Sequence, residues 1–513
     1  MIARPHLVAL ALVFGCAFVA CKDETTGAGF DAAISADGGI DATLVCGDGL
    51  GCPLFTECAT QGVVEVQLEP DELGTCQATE TLIGRGAPSW GWQSGGRALA
   101  DRLCVAQGLS SSRSAGATAI RSVQKEQLAL AGLRMLRIDF GWSRIEPTPG
   151  GFDFSGFDEL VDAADASGIE VLAILAYGVP WATTQTESDN KFPPDDPADF
   201  ANYATEVALR YAGRIRYYEI WNEQNGGYRF WKPTVHGDAD AFGRLMTVTA
   251  TALRAVCADC VIISGGLFFH EQVINGAIEF THDMLTAHPG ALDDIDLFGL
   301  HPYPQYPPAA PPEQTSSWGE RGLGAMVADL VAVLAVHDVP ALPFAVTEVG
   351  WPVSGEVDEA IQAEYLAREI LLGASLGLDP LCWYNLTDGP EPSAFPPEDA
   401  FGLYHHGSDD PAGTISPKPA ALAMGWLGSL GAGAIPAGPN SELGWHEPEA
   451  GRFALDFDAP GGRWTAVWSL DSQEMDFSGE SRSSYDLFGA LLAQPSGGVL
   501  RVSVGPSVVY LVP

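Results

Sequence analysis

Eight times between residues 81 and 430 a short run of β-formers is followed by a longer helix-like run, and this alternation constrains the fold more than any other feature of the chain. The strand-like runs are TLIGRGAP, LRMLRIDF, IEVLAILAY, IRYYEIW, VIISGGLF, IDLFGLHPY, PFAVTEVGW and DPLCWYNLT. Helix-like runs such as FDELVDAADASG and DFANYATEVALRYAG separate them, and KPAALAMGWLGSL follows the last. Around one of these helices Pro197 and Asp199 mark the start and Gly213 the end. Alternating strands and helices imply a parallel sheet, and eight units close into an α/β fold of the (β/α)8 barrel type. An open doubly wound sheet is the rival, but IGRGAPSWGWQSGG matches neither the dinucleotide nor the P-loop glycine pattern. From residue 431 to 513 the pattern changes to short alternating strands, RFALDFDAPGGRWTAVWSL through VVYLVP, which predict a small antiparallel β-sandwich.

The segment ahead of the barrel reads as an address and a tether. Residues 1–20 carry a cation at Arg4 and an apolar run from Leu7 that ends at Cys21, shorter than the ~20 residues of a membrane-spanning helix and suited to an export signal. FVAC, ending at Cys21, resembles a bacterial lipoprotein signal, in which that cysteine becomes the lipid-bearing N-terminus. Phe18 stands where leucine is usual, VFGC at Cys16 is a competing site, and an ordinary cleaved signal is the simpler reading. Residues 21–80 are then a flexible tether leading into a cluster of Cys46, Cys52, Cys58 and Cys76, which permits three disulfide pairings. Export makes disulfides permissible. The other cysteines are Cys104, Cys257, Cys260 and Cys382; the CADC pair lacks the second ligand pair of a zinc site and reads as a structural disulfide or buried thiols.

Of the 513 residues, 66 are acidic and 26 basic, a net charge of −40, which argues against a nucleic-acid partner. Acidity keeps an exported protein soluble but selects no ligand.

Two of the strand-like runs stop at a glutamate: YYEIWNEQN at Glu223 and PFAVTEVGWP at Glu348. Loops at the C-terminal ends of barrel strands share one mouth, so residues ending strands 4 and 7 face each other across it. Two carboxyl groups flanking a glycosidic bond divide the work: one protonates the leaving oxygen while the other attacks or activates water.

At this point the chain resembles the clan of retaining glycoside hydrolases that place an Asn-Glu acid/base pair after strand 4 and a nucleophilic glutamate after strand 7. Within that clan it resembles the β-xylosidase-like enzymes of family 39. LRIDFGWSRIEPTPGGFDFSGFDELV, YYEIWNEQN, LHPYP and VTEVGWP occur in order, and the resemblance extends from Thr81 to the C-terminus. It implies Glu223 as general acid/base and Glu348 as nucleophile, with Asn222 holding the sugar 2-hydroxyl. It also implies that Arg137 keeps Glu348 ionised, and that His301 and Tyr303 end strand 6 with the tyrosine bonded to the nucleophile. Trp383 after strand 8 would offer an apolar face to the sugar, extended by Trp181, Trp231 and Trp351. Gln224 departs from the proline common after the acid/base glutamate, which weakens a subfamily assignment.

Each residue has a plainer reading: a strand-end glutamate as a cap, Arg137 as an ion pair with Asp139 or Glu146, the aromatics as core. HEQVINGAIEFTHD holds His270, Glu271 and His282 without the spacing of a zinc protease, and two-carboxylate chemistry calls for no metal or organic cofactor. The expected activity is retaining hydrolysis of β-glycosidic bonds in oligo- or polysaccharides, β-xylosidase-like or endo-acting. The alternative is a surface carbohydrate-binding protein on a retired barrel.

Overall fold

The computed structural model describes residues 94–513 apart from 110, 113–116, 188, 235–236, 270–275, 305–308, 314–321, 341, 390–395, 407–415 and 444, and before residue 94 only short strand segments between Val8 and Ala78. Cys21, Cys46, Cys52, Cys58 and the expected strand at 81–88 lie outside the described residues. Two compact units are distinguished: Gly91–Met326 with Leu342–Pro513, and Met1–Trp90 with Val327–Ala341. The first holds the barrel strands and the C-terminal sheets. Among the described residues no helix is long and apolar enough to cross a membrane.

The barrel strands are β1 (Leu103–Ala106), β2 (Met135–Gly141), β3 (Glu170–Ala176), β4 (Tyr217–Ile220), β5 in two pieces (Val261–Ile263 and Leu267–Phe268), β6 (Phe298–His301), β7 (Phe344–Val349) and β8 (Leu381–Tyr384). Hydrogen bonding runs in parallel from β5 through β4, β3, β2, β1, β8, β7 and β6 back to the second piece of β5. The two ends of that order are neighbours in the chain, and an Ile263–Leu297 bridge joins them, so the sheet closes. In β3 every residue after Glu170 is buried, the near-continuous apolar run of a parallel strand covered on both faces.

Barrel position 1 differs from expectation. It is filled by LCVA, Leu103–Ala106, which directly follows the short helix Leu99–Arg102. Four residues are too few to show a strand period, and the run reads as the tail of the helix before it.

A helix follows each strand in the chain. Helix Pro197–Arg210 starts with Pro197 in its first turn and Asp196 accepting from the Ala198 amide, while Gly213 just beyond its end has φ +74°. Asp238 and Asp358 cap helices Ala239–Val256 and Glu359–Ser375 in the same way.

Cys104 and Cys382 are register partners on β1 and β8, both fully buried, and a disulfide joins them across the seam between first and last strand. A second disulfide joins Cys257 to Cys260. Because the seam bond spans 278 residues of chain, it removes much freedom from the unfolded state. The Cys104→Ala/Cys382→Ala variant is expected to lose about 2–5 kcal/mol in denaturant titration under non-reducing conditions. An unchanged midpoint would mean that the strands hold the seam without it.

The C-terminal segment forms two antiparallel sheets. One runs Ile435–Pro439, Arg452–Asp458, Trp464–Ser469, Val509–Val512, Ser483–Tyr485, Leu491–Ala493; the other pairs Gln473–Ser478 with Val499–Val504. Ala454, Val467 and Leu511 of the first pack with Phe477, Leu500 and Val504 of the second, as in a sandwich. Every residue of Trp464–Ser469 is buried, since its other face meets the barrel unit: the Trp468 indole N–H donates to Glu313 (2.8 Å), and Trp426 of helix Pro419–Leu430 lies against Tyr485 and Tyr510.

Candidate active site

The stretch EIWNEQN is built to stop β4 and turn its side chains into the mouth. Trp221 and Glu223 both have positive φ, 72° and 48°, a conformation that costs a non-glycine residue about 1–3 kcal/mol and persists only where the surroundings enforce it. Several bonds do so. The Trp221 amide donates to Leu175 O (2.9 Å) and its indole N–H to Phe230 O (2.9 Å), while the ring is wholly buried beside Tyr177, Phe200 and Trp231. The Glu223 amide donates to Gly266 O (3.0 Å). Asn225 makes a two-way bond with Phe268, donating to its carbonyl (2.8 Å) and accepting from its amide (3.0 Å), which ties the loop to the second piece of β5. Gln224 turns inward and donates to Gly265 O (3.0 Å), so the residue in the usual proline position braces the same loop.

Beneath the mouth lies a buried ion network centred on Arg137 of β2. Its guanidinium donates to both carboxylate oxygens of Glu219 on β4 (2.6 and 3.0 Å), to Asn222 Oδ1 (2.7 Å) and to Glu348 Oε2 (3.0 Å). Arg137 is 2% exposed and Glu219 wholly buried; burial alone opposes the arginine's charge, but Glu219 outweighs it and holds the guanidinium protonated. Glu219 Oε1 also accepts from the Gly266 amide (3.0 Å) and the Thr347 hydroxyl (2.9 Å). A methyl group on Gly266 would run into His301 Nε2 and Thr347 Oγ1, so only glycine admits this packing. With Asn222 Oδ1 occupied by Arg137, its amide NH2 is the group left to present to a ligand.

Glu348 enters from β7, where a register shift between Val346 and Val349 lets consecutive residues, Thr347 and Glu348, both reach the site. Glu348 Oε1 accepts from the Tyr303 hydroxyl (2.8 Å). On the other side, Glu223 Oε1 lies 2.9 Å from His301 Nδ1. One oxygen of Glu223, one of Glu348 and a nitrogen of His301 all lie within 4.8 Å of one another. Both carboxyl side chains keep a little exposure, 8% and 15%, while His301 has none.

The two carboxyls sit in different electrostatic settings. Burial lifts Glu223 from 4.5 to about 7, against the pull of Arg229 and Arg137, so it keeps its proton at pH values where an ordinary carboxyl has lost it. Glu348 is also raised by burial and by the neighbouring Glu223 carboxyl, but Arg137 and the Tyr303 hydroxyl favour its ionised form. Burial lowers His301 to about 4, so the ring is neutral. Arg137 Nη2, 3.3 Å from His301 Nε2, has only protons to give, so Nε2 accepts and Nδ1 donates to Glu223. Thr347 Oγ1 lies 3.1 Å from the same Nε2, its one proton serving either that nitrogen or Glu219. This tautomer leaves Glu223 Oε2 as the oxygen to carry a transferable proton.

The structure therefore brings together Glu223, Glu348, Arg137, Asn222, His301 and Tyr303, and not the expected tryptophan platform. Trp383 is a correction: it is wholly buried, its indole N–H donates to Phe401 O (3.2 Å), and it stacks on Trp351 (6.0 Å), which in turn meets Tyr365 of helix Glu359–Ser375. Strand alternation explains this. Leu381, two residues earlier, also packs outward, against Gly373 of that helix, whereas Cys382 and Tyr384 take the inner face, with Tyr384 close enough to Tyr303 to affect its ionisation. Trp231 and Trp351 are core. Trp181 follows β3, half-buried, with its indole N–H donated to Glu146 O (3.0 Å) and its ring edge-on to Trp142 (5.3 Å). Glu146 itself accepts from Trp142 (2.7 Å), and neither it nor Asp139 pairs directly with Arg137.

Glu219 and Thr347 were not anticipated. The available signal was a charged residue in the middle of the apolar strand YYEIW, which a buried position tolerates only with a partner. For a metal, Glu223, His301 and Glu348 have the right spacing, but a cation there would meet the Arg137 charge beside Glu348. Cys257 and Cys260, which cluster with Asp259, are bound to each other and offer no thiolate.

A family model described as β-galactosidase, of glycoside hydrolase family 42, matches residues 117–184. No curated protein matches the chain. Among solved structures, a family 39 glycoside hydrolase from Bacteroides cellulosilyticus WH2 aligns with TM-score 0.58 at 18% identity over 99% of this chain and 93% of that one. A monomeric β-xylosidase from Caulobacter crescentus CB15 aligns with TM-score 0.55 at 15% identity, covering 82% and 97%, and a glucosidase from Croceicoccus marinus with TM-score 0.55 at 12%, covering 82% and 97%. At such identities the likeness is one of fold: this chain has the barrel-and-sandwich fold seen in family 39 glycoside hydrolase structures.

Proposed function

We propose that the chain is a retaining β-glycosidase acting on oligo- or polysaccharides by double displacement, β-xylosidase-like or endo-acting. The observation that carries the proposal is the approach of Glu223 and Glu348 to within 4.8 Å, from opposite sides of the mouth and in unlike electrostatic settings. Retaining enzymes hold their carboxyls about 5–5.5 Å apart, whereas inverting ones need about 6.5–9.5 Å to admit a water. In the first step Glu348 attacks the anomeric carbon while Glu223 gives its proton to the departing oxygen. In the second, Glu223 takes a proton from water, which displaces Glu348 and restores both groups. Arg137 and Tyr303 hold the Glu348 charge, and the Asn222 amide reaches for the 2-hydroxyl. Export and lipid attachment at Cys21 complete the reading; intact mass of the membrane fraction, with Cys21→Ser as control, tests that part.

The activity test is a panel of aryl β-xylosides, β-glucosides and β-galactosides, with proton NMR of the first-formed product. Turnover with retained configuration is expected. kcat/KM should fall as pH rises through about 7, where Glu223 loses the proton it must donate. Inverted product would remove Glu348 as nucleophile, and no turnover by folded protein would favour the binding-protein alternative.

A further inference from the structure

Two charged side chains meet over the mouth from opposite sides of the barrel. β4 and β8 are equally far apart in either direction round the closed sheet, so the loops that follow them face each other. Arg229, in the short turn Gly227–Arg229 after β4, donates through Nη2 to Glu398 Oε1 (2.8 Å), which belongs to the turn Pro396–Ala400 after β8. Both turns are fixed by bonds of their own. The Gly226 amide donates to Glu223 O (2.8 Å) and the Phe230 and Trp231 amides to Gly227 O (2.9 and 2.6 Å), so the chain doubles back from the acid/base residue to Arg229. A methyl group on Gly226 would meet Glu223 O at 2.9 Å and the Phe230 ring at 3.1 Å, a crowding that glycine avoids. On the β8 side, Ala400 O accepts from the buried Lys418 ammonium (3.2 Å) and the Val353 amide (3.0 Å), and Lys418 pairs with Asp388 (3.0 Å).

The pair itself is partly exposed, Arg229 by 55% and Glu398 by 25%, and an ion pair in such a place contributes little to folding. Its field nevertheless reaches the buried carboxyl beside it. Other groups face Glu223 from the rest of the mouth, and each is committed elsewhere or uncharged. Arg137 of β2 is tied to Glu219 and to Glu348 of β7, and the Lys191 ammonium, in the loop after β3, lies over the Tyr177 ring. His301 of β6 is neutral, and burial keeps the Tyr177 and Tyr303 hydroxyls protonated. After burial, Arg229 is the strongest influence on Glu223, favouring the ionised form more than Arg137 does, and Glu398 acts in the opposite sense.

We propose that Arg229 and Glu398, joined across the mouth from the loops after β4 and β8, are positioning residues for the acid/base Glu223, a balanced pair in which the arginine favours loss of its proton and the glutamate restrains the arginine. Both steps of double displacement depend on that balance. Glu223 must hold a proton for the departing oxygen in the first step and, as a carboxylate, take one from water in the second. An unopposed cation beside it would favour the second step at the expense of the first, and an unopposed anion the reverse. Since each loop brings one partner, the balance exists only when both loops are in place. This rests on the glycosidase reading and adds to it two residues that act through Glu223 and not on the substrate.

The test compares Arg229→Gln, Glu398→Gln and the double variant with wild type by the pH profile of kcat/KM on an aryl β-glycoside that wild type turns over. Glu398→Gln leaves the cation unopposed, so the fall of kcat/KM on the alkaline side should move to lower pH. Arg229→Gln should move it to higher pH, each by about half a pH unit at low ionic strength, and the double variant should lie between them. A pair that only ties the loops together would move both single variants in the same direction or neither, and that result overturns the proposal. A readout independent of turnover is the NMR titration of the Glu223 carboxyl carbon in protein labelled at glutamate, its signal identified by its loss in Glu223→Gln. If wild type hydrolyses no glycoside, the glycosidase reading fails separately. Opposed displacements of the Glu223 titration in the two single variants then still support the pair, and parallel or absent displacements overturn it.

Discussion

Replacing Glu348 by alanine is expected to lower kcat on the order of 10⁴-fold or more with every leaving group, because no covalent intermediate can form without it. Glu223→Ala should fail differently. It should lose about 10²–10⁴-fold on substrates with poor leaving groups, yet keep the first step on activated aryl glycosides, which need little protonation. Azide then separates the roles by product: inverted glycosyl azide from Glu348→Ala, where the anion attacks directly, and retained from Glu223→Ala, where it opens the covalent intermediate. Steady-state kinetics with a leaving-group series reads both effects, and similar losses across the series for the two variants would mean that the two carboxyls do not divide the work.

Arg137→Ala is expected to cost both stability and activity. It leaves Glu219 wholly buried without its cation, a situation that costs about 3–5 kcal/mol, and it removes the donor to Glu348. The double variant Arg137→Met/Glu219→Leu separates the two losses, since exchanging a whole buried pair for apolar groups is far milder than breaking it. Denaturant titration should show much of the stability regained, while kcat/KM stays low because Glu348 still lacks its guanidinium. Recovery of activity together with stability would reduce Arg137 to a structural ion pair.

The contrast between these residues also shows what could be read in advance. Strand-then-helix periodicity identified β2 through β8, and a glutamate ending each of two strands was visible because strand ends in a barrel share a mouth. What periodicity cannot supply is the facing of a short strand. LCWY is only four residues, so nothing local told Trp383 from Tyr384, and the aromatic with the larger face was expected at the sugar although the outward alternation from Leu381 buries it. β1 escaped for the same reason, its four buried residues abutting a helix. Glu219 was hidden by its position inside the motif, since a network joining β2, β4, β5 and β7 is set by closure of the sheet and not by neighbours in the chain. The positive φ values at Trp221 and Glu223 likewise follow from tertiary bonds to Leu175 and Gly266.

Covalent trapping distinguishes Glu348 as the nucleophile from every other carboxyl of the site. A 2-deoxy-2-fluoro β-glycoside with a good leaving group, of whichever sugar is turned over, should inactivate the enzyme with a stoichiometric mass increase, since fluorine slows both steps and the leaving group rescues only the first. Peptide mapping should place the added mass on the peptide carrying Glu348. Label on Glu223 or any other residue, or inverted product with no label at all, would contradict the assignment.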